Sequence, residues 1–84
     1  LEPHMRLAAM TYASTCVVCH RISGEGGTVG PDLTLIGQRR DEAGIREVIE
    51  DASLVYGDSS MPSFKDKLTG AQIDALARYL ATRK

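Results

Sequence analysis

Cys16-Val17-Val18-Cys19-His20 is the stretch on which the reading of the whole chain turns. Two cysteines stand two residues apart with a histidine directly after the second, which is the spacing of c-type haem attachment. The chemistry accounts for the spacing. Each thiol can add to one vinyl group of a haem, and two intervening residues let both sulfurs reach the two vinyls of one macrocycle. The next residue then stands under the ring, where an imidazole nitrogen can bind the iron as the proximal ligand. Other chemistries compete for the same residues. A disulfide across two residues closes a tiny loop and stabilises little. Structural zinc wants four ligands, and no cysteine follows Cys19. A thioredoxin-type pair sits beside a βαβ pattern, and no convincing strand is legible. Haem attachment through Cys16 and Cys19, with His20 as metal ligand, fits best.

The chain has 84 residues, enough for one domain and no more. So short a chain is marginal unless something staples it. One Phe, three Tyr and no Trp are available to fill a core, so a covalently held porphyrin would supply missing apolar bulk. A small helical bundle with an aliphatic core is the plainer solution that composition also allows. The net charge of -1 gives no basic field to attract nucleic acid. No apolar run approaches the ~18 residues of a membrane span, and no secretory signal is visible. Leu1-Glu2-Pro3-His4-Met5 reads as a cloning scar, which leaves residues 6–84 as a single domain and His20 as its only native histidine.

Arg6 to about Thr15 is rich in helix formers and runs straight into the first cysteine, with Ala8, Tyr12 and Cys16 on one face. Residues 21–30 hold four glycines and no sustained apolar period, which predicts a tight irregular loop. Neither a P-loop nor a dinucleotide fingerprint fits those glycines. Asp41 is a good N-cap for a helix over roughly 42–52, where Ile45, Val48, Ile49 and Ala52 keep helical spacing. Gly44 weakens its start, and Arg46, Glu47, Glu50 and Asp51 form a solvated face. From Ser53 to Lys67, the residues Gly57, Asp58, Ser59, Ser60 and Pro62 break any helix and predict a loop carrying Met61. A thioether is a soft metal ligand; an apolar anchor for the loop is the bland role for Met61. Met10 lies six residues before Cys16 on the first helix, badly placed to reach across the ring, and His4 falls in the scar. Thr69 and Gln72 match a capping box, and Ile73, Leu76, Ala77 and Leu80 form the apolar stripe of a last helix. Arg83 and Lys84 suit its negative C-terminal end.

Taken in order, Cys16-x-x-Cys19-His20, Gly30-Pro31 and Met61-Pro62-x-Phe64 resemble the class I, mitochondrial-like monohaem cytochromes c of the small bacterial type. The resemblance covers nearly all of residues 6–84. It implies an all-α cytochrome c fold, with three main helices around one covalently bound haem c and the first and last helices crossing near perpendicular. Ala8 and Tyr12 take the positions of the family's small residue and aromatic, with Ala8 in place of the usual glycine, and Leu76 and Tyr79 meet them from the last helix. The carbonyl of Pro31 is expected to accept a hydrogen bond from the Nδ1–H of His20, fixing the tautomer and strengthening the ring as a donor; a plain turn proline is the alternative. Arg39 is the candidate for a haem propionate, displaced because Gln38 directly follows Gly37; a solvated surface arginine is the other reading. Met61 becomes the distal iron ligand, a pairing with histidine that raises the reduction potential. Pro62 aims it, and Phe64 joins the cofactor-binding residues. Leu33, Leu35 and Ile36 pack against the haem or its surrounding core.

The function this implies is one-electron transfer, by a carrier or by the electron-transfer domain of a larger redox protein, and not an enzyme. Electrons would pass through an exposed haem edge near the attachment loop and Met61 to redox partner proteins that dock weakly and briefly. Lys65, Lys67 and Arg21 offer a positive rim for an acidic partner. The resemblance also implies a monomer in a periplasmic or otherwise extracytoplasmic location, and a membrane tether or a fused respiratory or dehydrogenase protein is compatible with it. The rival reading keeps the haem but opens the sixth site, for ligand sensing or peroxidatic activity. A haem-free thiol or metal module is the third.

Overall fold

The computed structural model describes residues 3–28, 30–53, 57 and 61–84. Among the described residues, three α-helices carry the architecture: α1 (Pro3–Thr11), α2 (Glu42–Glu50) and α3 (Gly70–Ala81). Both α1 and α2 pack against α3. The last helix is therefore the centre of the fold, and its apolar stripe explains why. Ile73, Leu76, Ala77 and Leu80 are all buried, with Leu76 fully so. They share one core with Ile45 and Ile49 of α2 and with Phe64 from the loop before α3. Arg46 adds a polar tie across the α2–α3 seam, 2.9 Å from Asp74, and pairs within α2 with Glu42 at 3.2 Å. These groups are substantially exposed, so the tie guides register more than it stabilises.

The helix ends follow the expected local chemistry. The Asp41 carboxylate accepts the Gly44 amide at 2.8 Å and caps α2. Thr69 and Gln72 close a full capping box on α3, at 3.1 Å and 2.8 Å. The helix expected over 42–52 ends earlier, at Glu50. Asp51 is extended, and its carboxylate takes the amide and hydroxyl of Ser53 at 3.1 Å and 2.6 Å. A residue that caps the next turn cannot continue the previous helix. Of the helix breakers expected beyond it, Asp58, Ser59 and Ser60 lie outside the described residues, while Gly57 has a positive φ of 80°.

The first helix differs more. Pro3, His4 and Met5, expected as a scar, form its first turn, with proline in the position where its missing N–H costs least. The α geometry stops at Thr11 and a π turn continues over Tyr12–Cys16, closed by the Val17 amide on the Tyr12 carbonyl at 3.1 Å. Ser14 contributes to the change, because its hydroxyl takes the Thr11 carbonyl at 3.1 Å. The wider turn rotates Cys16 away from a strict α register. Ala8 is fully buried, and Tyr12 and Cys16 still pack against the core.

The glycine-rich segment is more ordered than expected. It contains a small antiparallel hairpin, β1 (Arg21–Ile22) with β2 (Glu25–Gly26), so the expectation of no strand fails here. Its two-residue turn is Ser23-Gly24, with φ of 52° and 84°. Both central residues are left-handed, the requirement of a turn whose twist matches its strands. Ser-Gly was the local signal; two-residue strands are too short to leave a period-2 pattern. A 3-10 turn at Ile36–Gln38 then packs against α3 before α2 begins. Among the described residues, no helix is long and apolar enough to cross a membrane.

Candidate functional site

The π turn delivers the first cysteine into a tight backbone knot. The amides of Cys19 and His20 both donate to the Cys16 carbonyl, at 3.2 Å and 3.0 Å. Gly27 donates to the Val17 carbonyl at 2.8 Å, and Gly30 to the Cys19 carbonyl at 2.6 Å. The downstream loop is thus laced back onto the cysteine turn by main-chain bonds. Both cysteines are free thiols and half-buried. Burial pushes the Cys16 thiol up to about 11, with a smaller contribution from neighbouring Cys19. It therefore keeps its proton at neutral pH. Val18, between the cysteines, is 72% exposed, so this turn forms part of the surface.

The imidazole of His20 lies 2.9 Å, at Nδ1, from the Pro31 carbonyl oxygen. A carbonyl only accepts, so Nδ1 carries the donated proton, and in the neutral ring Nε2 is the nitrogen that holds the lone pair. Glycine at position 30 is what permits this. A Cβ built there would lie 2.5 Å from His20 Cε1 and 2.7 Å from Nδ1, inside contact distance. The ring therefore rests against a glycine backbone on one side and is anchored by one directional bond.

The segment after Pro31 is fixed by further polar contacts. Asp32 accepts the Thr34 amide at 2.8 Å. Thr34, through its side chain and then its amide, holds the Asp32 carboxyl below the usual range, with smaller help from Arg21 and Arg39. Arg39 donates from Nη2 to the Asp32 carbonyl at 2.9 Å, so this guanidinium is already engaged with the Pro31 segment. Leu33 and Ile36 pack against the core, whereas Leu35 is 48% exposed and does not join them.

Met61 is half-buried and packs against the core that Cys16 also borders. Its neighbours tie it to the end of α2: Ser63 Oγ donates to the Glu50 carbonyl at 2.6 Å, and the Phe64 amide to the Ile49 carbonyl at 3.2 Å. Phe64 is itself a buried core residue. Met10 is 66% exposed on α1. Of the three residues expected to form a positive rim, Lys65 and Lys67 are exposed, but Arg21 is half-buried.

Two buried polar atoms find no partner among the described residues: Tyr12 Oη and Arg21 Nε. Such orphans are costly unless another group meets them. Burial, and then the proximity of Cys16, Tyr79 and Asp32, raise the Tyr12 phenol pKa. Among the described residues, no three His, Cys, Asp or Glu side chains converge as ligands for a bare metal ion. Two free thiols, an imidazole anchored through Nδ1 and two orphaned donors are a set that fits a covalently attached iron porphyrin. Arg83 was legible in the sequence only as a cation at a helix end. The structure adds that its side chain reaches Ser23 and Thr34, contacts separated by 60 and 49 residues that no local pattern reveals.

Comparison with known proteins bears on the family and the fold. The profile of the family described as cytochrome C oxidase, cbb3-type, subunit III matches residues 3–80. A chain in the crystal structure of SoxXA from P. pantotrophus superposes with a TM-score of 0.84 and 22% identity, covering 94% of this chain and 80% of that one. The c-type cytochrome SorU from Sinorhizobium meliloti superposes with a TM-score of 0.73 and 24% identity, covering 98% of this chain and 92% of that one. At these identities the two structures speak to the fold alone. A search among curated proteins found no match.

Proposed function

This chain belongs to the family of cytochrome c oxidase, cbb3-type, subunit III, and thus to the class I monohaem cytochromes c, and on that premise we propose that it is a one-electron carrier or the electron-transfer domain of a larger redox protein. The observation that carries the reading is the His20–Pro31 contact at 2.9 Å, which leaves Nε2 available beside the cysteine pair. One haem c, joined through Cys16 and Cys19, would supply reversible Fe(II)/Fe(III) chemistry. His20, from a polar loop, and Met61, packed against the apolar core, would hold its iron, and with both side chains bound the group would carry one electron rather than bind a substrate. Pro31 holds the His20 proton and so sets the donor strength of the ring. The core packing of Phe64 and its bond to the end of α2 hold the loop that carries Met61.

Arg39 is engaged with the Asp32 carbonyl, yet it remains the candidate for a propionate through its other guanidinium nitrogens. The partner is a redox protein that docks transiently on the exposed face around Val18, with Lys65 and Lys67 favouring an acidic surface. Its location is periplasmic or otherwise extracytoplasmic, as a monomeric unit of residues 6–84, tethered or fused where the larger protein requires it. Potentiometric titration of the haem-loaded protein tests the function. The reading expects one reversible one-electron transition and a reduced form that does not bind carbon monoxide. Rapid carbon monoxide binding in the reduced state would favour a sensing or peroxidatic haem protein instead.

A further inference from the structure

Residues 20–23 and 31–34 run side by side in the same direction, joined by three rungs. His20 Nδ1 meets the Pro31 carbonyl at 2.9 Å. Arg21 bridges Asp32 in parallel, with the Leu33 amide on the Arg21 carbonyl at 2.7 Å. The Ser23 amide donates to Thr34 Oγ1 at 2.8 Å. Across the last rung lies Arg83, whose Nη2 donates to Ser23 Oγ at 2.8 Å and whose Nε donates to the Thr34 carbonyl at 3.1 Å. We propose that Arg83 is a positioning residue for the axial imidazole: it clamps the two segments whose register sets the His20–Pro31 bond.

The argument rests on the reading of His20 as an axial ligand, and it adds what keeps that ligand aimed. The first rung is exposed, so water competes for both its atoms and its net strength is modest. It persists only while the two segments stay in register. A guanidinium suits the task because its donors are held in one plane at fixed spacing, so gripping both segments fixes their separation. Ser23 needs such a grip, since its φ of 52° is a left-handed conformation that a non-glycine residue resists. The clamp has a firm base. The Arg83 amide donates to the Leu80 carbonyl at 3.0 Å, and its carbonyl accepts the Gly37 amide at 2.8 Å. Those main-chain bonds survive a side-chain substitution, so the end of α3 stays docked when the guanidinium is removed.

The test uses haem-loaded protein carrying Arg83→Gln, with Ser23→Ala as a milder cut of one contact and Arg78→Ala, an exposed arginine of α3, as control. A looser His20–Pro31 bond makes the imidazole a weaker donor, which favours the reduced state. The proposal expects the reduction potential of Arg83→Gln to shift upward. It also expects exchange of the His20 Nδ1 proton with solvent, followed by NMR, to quicken about fivefold, as loss of one modest hydrogen bond implies. Ser23→Ala moves both in the same direction by less, Arg83→Lys restores part of the wild-type values, and Arg78→Ala changes neither. If Arg83→Gln folds poorly, Ser23→Ala carries the same two measurements. An unmoved potential and exchange rate in Arg83→Gln and Ser23→Ala, where the wild-type protein shows imidazole ligation, overturns the positioning role alone, even if the melting temperature falls. A wild-type protein without imidazole–iron coordination overturns the ligand assignment and this proposal with it.

Discussion

The two sides of the candidate haem site are built by different forces. Around His20, nearly everything is directional: the ring is held by the Pro31 carbonyl, the loop by main-chain bonds to Val17 and Cys19, and the neighbouring segment by Arg83. Around Met61, the side chain packs against the apolar core, while hydrogen bonds from Ser63 and Phe64 tie only the neighbouring backbone to the end of α2. Directional bonds specify the angle of an imidazole and which nitrogen faces the iron. Packing specifies how deep a flexible thioether sits and tolerates small rotations. A perturbation on one side should therefore leave a signature that the other lacks.

The largest effect removes what both sides share. Cys16→Ala together with Cys19→Ala removes both covalent links, and mass spectrometry under denaturing conditions is expected to show loss of the mass of one haem, with each single variant, which keeps one link, weakened less. Undiminished retention in the double variant would exclude these thiols as the attachment points. Next comes the packed side. Phe64→Ala empties a core position and is expected to cost about 3–5 kcal/mol, read as a lower denaturation midpoint. Loss of thioether coordination should accompany it, while the His20 Nδ1 proton stays protected. On the directional side, Gly30→Ala forces a Cβ to within 2.5 Å of the His20 ring and is expected to cost about 1–3 kcal/mol. Its signature is the reverse: a disturbed imidazole with the sulfur ligand retained. If both variants disturb both ligands equally, the distinction between the two sides fails.

The smallest effect concerns acid. Thr34 holds the Asp32 carboxyl below its ordinary range, so its contribution to folding is present above the unfolded-state value of about 4 and is lost as pH falls through the lower folded-state value. Asp32→Asn should flatten that part of the pH–stability curve slightly, by lowering the neutral-pH melting temperature a little while leaving the acid end nearly unchanged. A variant as acid-sensitive as wild type would show that Asp32 does not contribute.

Different parts of this account were legible in the sequence to different depths. The caps at Asp41 and Thr69 were readable because they depend on residues three apart. The stripe of α3 was readable because burial imposes a helical period. The cysteine–histidine motif stood out because its spacing is local, and the candidate site is built around it. The π turn before Cys16 was not legible, since it differs from an α turn by a single residue of register. The hairpin was too short to show a strand pattern, although Ser23-Gly24 marked its turn. The Arg83 clamp was invisible because its contacts join distant positions, and a lone arginine near a helix end carries no sign of what it will touch. The proximity of His20 to Pro31 came from family resemblance, and Gly30 acquires its reason only once the ring's position is known.

The most direct test of the central claim is the absorption spectrum of the oxidised, haem-loaded protein carried into the near infrared. Ligation by His20 and Met61 predicts a low-spin spectrum with a weak sulfur-to-iron band, and that band disappears in Met61→Ala. A high-spin ferric spectrum without the band in the wild-type protein would contradict the account.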